Sequence, residues 1–176
     1  MYDIVIISGS PSHGSPSHGV LGYARRILEV HGLETHLISV RDLPLKDLFH
    51  GYTESTAVRG HTEILAHTGA VIVGTPTFKS SFSGVLKTYL DLLPDGILEG
   101  KAVLPIASAA SLSQVGGAEE ALKPVLTDLG ARKILPGLTL LDNQIGFHED
   151  GAIQLPYEVD QSLHIALQLL ARSIRK

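Results

Sequence analysis

The chain contains no cysteine and no tryptophan among its 176 residues. The missing thiols exclude disulfides, thiolate zinc sites and a cysteine nucleophile together. No H-E-x-x-H pair occurs among the nine histidines, and none of them shows ligand-like spacing. No G-x-S-x-G elbow is present. His13 and His18 stand beside serines, but a nucleophile and its base usually come from separate loops. The dinucleotide fingerprint G-x-G-x-x-G is missing as well. Gly9 and Gly14 have the spacing of a Walker loop, yet Ser15 stands where that loop needs lysine, which argues against a nucleotide hydrolase. The net charge of −4, without a basic block, argues against nucleic acid as a partner. The opening Met1-Tyr2-Asp3 lacks the basic start of a signal peptide. The apolar run behind it ends within about seven residues, too short to cross a membrane. A soluble cytoplasmic protein with no membrane partner is the expectation.

What the chain does have is 44% hydrophobic residues and a length suited to one domain, residues 1–176, with a sizeable core. Strand patterns fall at residues 2–7, 33–40, 70–73, 102–107 and 134–141, the last interrupted by Pro136-Gly137. The third is rich in β-branched residues, Val71-Ile72-Val73, and reads as buried on both faces until Gly74-Thr75-Pro76 breaks it. Phe82, Val85, Leu86, Tyr89, Leu90 and Leu93 then form one stripe of a helix, with Ser80 or Ser81 as its cap and Pro94-Asp95-Gly96 as its stop. Helical faces also follow the first, second, fourth and fifth strands. Five alternations imply an α/β fold: a doubly wound, five-stranded parallel sheet in the order 2-1-3-4-5.

In such sheets ligands sit at the carboxyl ends of the strands. The first of these loops carries one pentapeptide twice, Ser10-Pro11-Ser12-His13-Gly14 and Ser15-Pro16-Ser17-His18-Gly19. Hydroxyls, glycines and a helix start are the parts of a phosphate cradle, and without a lysine they suit a monoester. The loop after the fourth strand, Ser108-Ala109-Ala110-Ser111, has side chains small enough to leave room for a flat ring, although an ordinary tight turn reads equally well there.

Three stretches resemble the NADPH-dependent FMN reductases. They are Gly9-Ser10-Pro11, the run from Gly74-Thr75-Pro76 through Phe78-Lys79 and Phe82-Ser83-Gly84 to Leu93-Pro94, and Ala121-Leu122-Lys123-Pro124. Within that family the chain is similar to the reductase component of two-component alkanesulfonate monooxygenases. The resemblance implies a flavodoxin-like fold, FMN and NADPH as cofactors, and a homodimer or homotetramer. It also implies reduced FMN handed to a partner monooxygenase. By resemblance the phosphate lies on Ser10, Ser15 and Ser17, with His18 nearby. The ring lies along Pro76, Thr77, Phe78 and Lys79 and touches Ser108, Ala109, Ala110 and Ser111. No catalytic acid or base is assigned, because hydride transfer is the cofactor's chemistry.

The chain departs from the family pattern at three places. Ser12 replaces a common arginine, which leaves the charge at the phosphate to His13 or His18. Ala109-Ala110 replaces Gly-Gly. Glu120 replaces a tyrosine near a flavin and a subunit contact, so the flavin is expected to exchange rather than stay fixed. Pro124 is expected to bend that helix or widen it into a π-type turn. Two rival readings share the fold. One is an FMN-containing reductase of quinones, azo dyes or metal oxyanions. The other is a flavodoxin-like electron carrier, which the mild charge and absence of tryptophan disfavour.

Overall fold

Five consecutive buried residues, Ile4–Ser8, form the first strand, β1. The structure is a computed structural model that describes residues 1–174. After β1 come helix α1 (Pro16–Val30), strand β2 (Thr35–Ser39) and helices α2 (Leu45–His50) and α3 (Thr56–Ala66). Strand β3 (Ala70–Phe78), the short β4 (Ser81–Phe82), helix α4 (Gly84–Leu90) and strand β5 (Ala102–Ala109) make the middle of the chain. Helix α5 (Gly117–Asp128) leads to strands β6 (Lys133–Ile134) and β7 (Leu138–Leu141). A small hairpin, β8 (Gly146–Phe147) with β9 (Ile153–Gln154), precedes the last helix, α6 (Tyr157–Ile174).

The parallel strands run in the order β2-β1-β3-β5, with β6 and β7 both pairing the far edge of β5. β6 and β7 are the two halves of the interrupted fifth strand, so the order is the expected 2-1-3-4-5. Ile134 pairs with Val103 and Leu138 with Ile106, so Leu135, Pro136 and Gly137 lie opposite only Leu104 and Pro105. That extra residue is a bulge. It falls beside Pro105, which has no N–H to give a neighbouring strand.

Alternation along the strands divides the core in two. Ile4, Ile6, Ile72 and Leu104 pack with Val20 and Leu21 of α1 and Leu163 and Leu167 of α6. Val5, Ile7, Val71, Val73 and Val103 pack on the other face with Val58, Leu86, Leu90, Leu122 and Leu126 from α3, α4 and α5. Each fully buried aliphatic side chain contributes about 1.5–3 kcal/mol over an exposed one. A register slip would exchange the two faces, so the pairing is strongly specified.

Three local expectations need correction. β3 does not break at Gly74 but runs on through Thr75, Pro76 and Thr77 to Phe78. β1 ends opposite Gly74, and only β5 accompanies β3 through Pro76. A proline is tolerated where a strand has become an edge. The cap of α4 is neither Ser80 nor Ser81 but Ser83, whose hydroxyl accepts from the Leu86 amide. Phe82 belongs to β4 instead of the helix, and α4 ends at Leu90, ahead of Pro94. Finally, α5 stays α-helical through Pro124 and does not widen into a π-turn. The carbonyl that loses its bond is that of Glu120, which lies on the exposed face where water can take it.

Candidate functional site

The carboxyl ends of β1, β3 and β5 meet on one rim. The Gly9 amide donates to the Gly74 carbonyl at 2.8 Å, which carries β1's partnership with β3 one residue further. A Cβ on Gly9 would lie 2.6 Å from Leu86 Cβ, so α4 packs directly on this backbone. Ser83 joins the two ends: its hydroxyl donates to the Gly9 carbonyl and its amide to Thr75 Oγ1.

Between β1 and α1 the repeated pentapeptide folds inward. Ser10, Ser15 and Ser17 are only 1%, 6% and 2% exposed, whereas Ser12 and His13 stay at the surface. Ser15 is the N-cap of α1, yet its hydroxyl makes no capping bond and pairs with Ser17 Oγ at 2.8 Å. Pro16 has no N–H and Gly19 bonds back to the Ser15 carbonyl. Helix geometry therefore leaves the Ser17 and His18 amides outside the helix's own ladder. Amides at a helix start carry the positive end of its dipole and suit an anion.

His18 is placed by two neighbours. Its Nδ1 lies 2.8 Å from the buried Ser8 hydroxyl, and Arg41 Nη2 lies 3.5 Å from its Nε2. Burial, and then the Arg41 charge, push the His18 pKa below the usual histidine range. Arg41 comes from the 3-10 turn Val40–Asp42 behind β2. Its Nη1 donates to the Ser12 carbonyl. Sequence reasoning missed this residue. Its one signal was its place just after the strand flanking β1, at the same end of the sheet.

The ring-side residues fall into two sets. Thr77 is buried and its hydroxyl has no partner among the described residues. Phe78 is the last residue of β3 and is 49% exposed. Lys79 and Ser80 make a two-residue turn into β4, both at positive φ, 51° and 60°. Ser108 sits opposite Pro76 in the register, and Ala109 opposite Leu141. Both are strand residues of β5, buried, so the expected four-residue loop is shorter than its sequence suggested. Only Ala110 and Ser111 lie beyond the strand, exposed, and Ser111 Oγ pairs with Ser113 Oγ at 3.0 Å. The structure thus pairs Ser15 with Ser17, ties Ser10 to Ser12 and, through Arg41, Ser12 to His18, and sets Pro76 and Ser108 across a ladder. Lys79 and Ser111 project from the rim instead.

No group of three metal-ligating side chains occurs among the described residues, and no described helix is long and apolar enough to cross a membrane. The rim offers hydroxyls, free helix amides and one guanidinium for an anion. Beside them lies a crest of small residues flanked by an exposed aromatic.

The chain is similar to several known proteins. A family model described as NADPH-dependent FMN reductase matches residues 2–145. An FMN reductase (NADPH) of Pseudomonas putida is 40% identical over 166 residues, covering 94% of this chain and 84% of that protein. One from Escherichia coli is 37% identical over 142 residues, covering 81% of this chain and 74% of that protein. Among solved structures, an NADH:FMN oxidoreductase (EMOB) in its apo form superposes with a TM-score of 0.86 at 30% identity, covering 98% of this chain and 90% of that one. A flavodoxin of Streptococcus pneumoniae, at 12% identity and a TM-score of 0.65, covers 96% of this chain and 97% of its own and shares the fold.

Proposed function

This chain belongs to the NADPH-dependent FMN reductase family, and from that premise we propose how its own residues serve the reduction of FMN by NADPH. When bound, FMN supplies the redox chemistry by accepting a hydride from NADPH. The chain's part is to bind, orient and keep water away. Ser10, Ser15 and Ser17, with the amides of Ser17 and His18, hold the phosphate at the start of α1. Pro76, Thr77, Phe78 and Lys79 carry the ring, with Ser108, Ala109, Ala110 and Ser111 along its other edge.

The observation that carries this reading is the inward-turned serine loop. The Ser15 and Ser17 hydroxyls are buried at the helix start, Ser10 is buried in the loop before it, and the N-cap hydroxyl is not spent on capping. Ser15 and Ser17 bond to each other, and a hydroxyl has one donor and two acceptor sites, so the pair keeps capacity for a further partner. Thr77's hydroxyl, without a partner among the described residues, offers a hydrogen-bonding group on the ring side of the same rim.

The flavin visits as an exchangeable substrate and leaves reduced, for a flavin-dependent monooxygenase in the cytoplasm. The chain works as a homodimer or homotetramer. What supports exchange is the open rim. Phe78 is half exposed, and Glu120, paired with Lys123 on the outer face of α5, offers no ring to stack on a flavin. Steady-state NADPH oxidation with and without added free FMN tests the function. A rate that saturates in FMN is expected. No NADPH oxidation at any FMN concentration would leave an electron carrier.

A further inference from the structure

Arg41 is a largely covered cation with an unfinished hydrogen-bond set. Its side chain is only 13% exposed, and its Nε has no hydrogen-bond partner among the described residues. Two of its contacts are fixed. Nη1 donates to the Ser12 carbonyl and Nη2 lies against His18 Nε2. A guanidinium can only donate, so His18 Nε2 must accept there. The proton then sits on Nδ1 and is donated to Ser8 Oγ. The neutral imidazole is thereby held between a buried hydroxyl and a guanidinium, which keeps that guanidinium aimed at the serine loop. The nearest carboxylate, Asp42 Oδ1, lies 3.7 Å from Nε, beyond hydrogen-bond length, and Asp42 itself is 65% exposed. Ser39, paired with Ser8 across β1 and β2, has a buried hydroxyl that also lacks a partner among the described residues. A largely covered charge left this incompletely paired carries a desolvation cost that an anion would offset.

We propose that Arg41 is the cation that recognises the phosphate of the flavin, and that it makes the site prefer a phosphomonoester over the uncharged riboflavin end. This rests on the reading that the serine loop holds that phosphate. Neutral hydroxyls and amides bind an anion without demanding its charge, whereas a guanidinium forms charge-assisted bonds in a fixed plane. Its anchor on the Ser12 carbonyl also sets the loop, so the same residue orders the cradle and charges it.

The test compares FMN and riboflavin affinities, by quenching of flavin fluorescence, in the wild type, Arg41→Gln, Arg41→Lys and Ser15→Ala. Arg41→Gln should weaken FMN by about tenfold or more and riboflavin by less than about threefold. Arg41→Lys should recover part of the FMN loss, because it restores the charge but not the planar fork. Raised ionic strength should narrow the FMN-over-riboflavin preference in the wild type and leave it unchanged in Arg41→Gln. If Arg41→Gln weakens both flavins equally, the residue only braces the loop and the inference is overturned. If Ser15→Ala discriminates the two flavins while Arg41→Gln does not, the loop holds the phosphate but Arg41 is not its cation. If neither variant discriminates, the phosphate lies elsewhere and both readings fall. Should Arg41→Gln not fold, the lysine variant decides. An FMN-specific loss supports the role, and equal losses overturn it.

Discussion

The carbonyl oxygen of Ser80 fills the space that a side chain on Gly117 would need: a Cβ there would lie 2.6 Å away. The first turn of α5 therefore presses on the turn that joins β3 to β4. Lys79 and Ser80 both hold positive φ there, a conformation that type I′ hairpins reserve mostly for Asn and Gly. Each such residue costs on the order of 1–2 kcal/mol. Ser80→Gly should remove part of that strain and raise stability by roughly 0.5–1 kcal/mol in urea denaturation. Gly117→Ala should do the reverse, losing about 1–3 kcal/mol as overpacking does, although alanine is the better helix former. A more stable Gly117→Ala protein would show that the contact is slack.

Phe78 stands at the end of the same strand, half exposed, with its neighbours on β3 buried. Little apolar area is lost if it is truncated. Phe78→Ala should leave the melting temperature within a few degrees of the wild type and raise the KM for FMN or slow turnover. A large fall in melting temperature with unchanged kinetics would make it a packing residue.

How far the sequence could be read follows from the range of the forces involved. The apolar run Ile4-Val5-Ile6-Ile7 is visible in one dimension as a strand, and the structure sends its successive residues to the two faces of the sheet. Gly74-Thr75-Pro76 misled, because those residues break a strand only when both its neighbours need their hydrogen bonds. The edge left above Ser8 is a tertiary fact. The buried serine loop stood out as a candidate because its hydroxyls repeat in sequence. Arg41 did not, since it lies 29 residues from Ser12 and meets it only once β2 has paired with β1. For the charge that the sequence left to His13 or His18, Arg41 is a further candidate. His13 remains at the surface, and His18 is turned toward Ser8 and Arg41.

Ser15 tests the phosphate cradle itself. One hydrogen bond to a charged group is worth about 1.5–3 kcal/mol. Ser15→Ala should weaken FMN about tenfold or more and leave riboflavin nearly unchanged. Its cost to the helix should be small, because the Ser15 side chain makes no capping bond. Calorimetric titration with both flavins reads the difference directly, and equal losses would move the phosphate away from this loop.

Glu120 tests exchange. It lies on the outer face of α5, 70% exposed on its side chain, and its visible partner is Lys123 one turn on. Desalted protein should emerge from gel filtration colourless and regain NADPH oxidation on addition of FMN. Glu120→Tyr should tighten flavin binding or shift subunit assembly, as judged by affinity and by light scattering. Stoichiometric yellow colour retained by the wild type would refute exchange. If the tyrosine variant matches the wild type in affinity, turnover and assembly, the position lies outside the site.

The last expectation concerns acid stability and comes from His61. Its Nδ1 is buried without a partner among the described residues, and its ring meets that of the fully buried Tyr89 edge-on at 5.8 Å between centroids. Burial, and then the positive charge of His36, push the His61 pKa below its ordinary value of 6.5. The folded protein therefore resists a proton that the unfolded chain accepts. Between the depressed folded pKa and 6.5, the unfolded state binds more protons, so stability rises with pH there and falls as the solution is acidified. Above that window His61 is neutral in both states and contributes no slope. His18 and His36 are shifted in the same direction, mainly by burial, and add to the loss. Urea midpoints of flavin-free protein should hold steady from about pH 8 to 7 and then drop toward pH 5. His61→Phe keeps an aromatic ring against Tyr89 but cannot take a proton, so it should flatten part of that drop. An unchanged slope in the variant would mean that His61 is not the group whose burial makes the fold acid-sensitive.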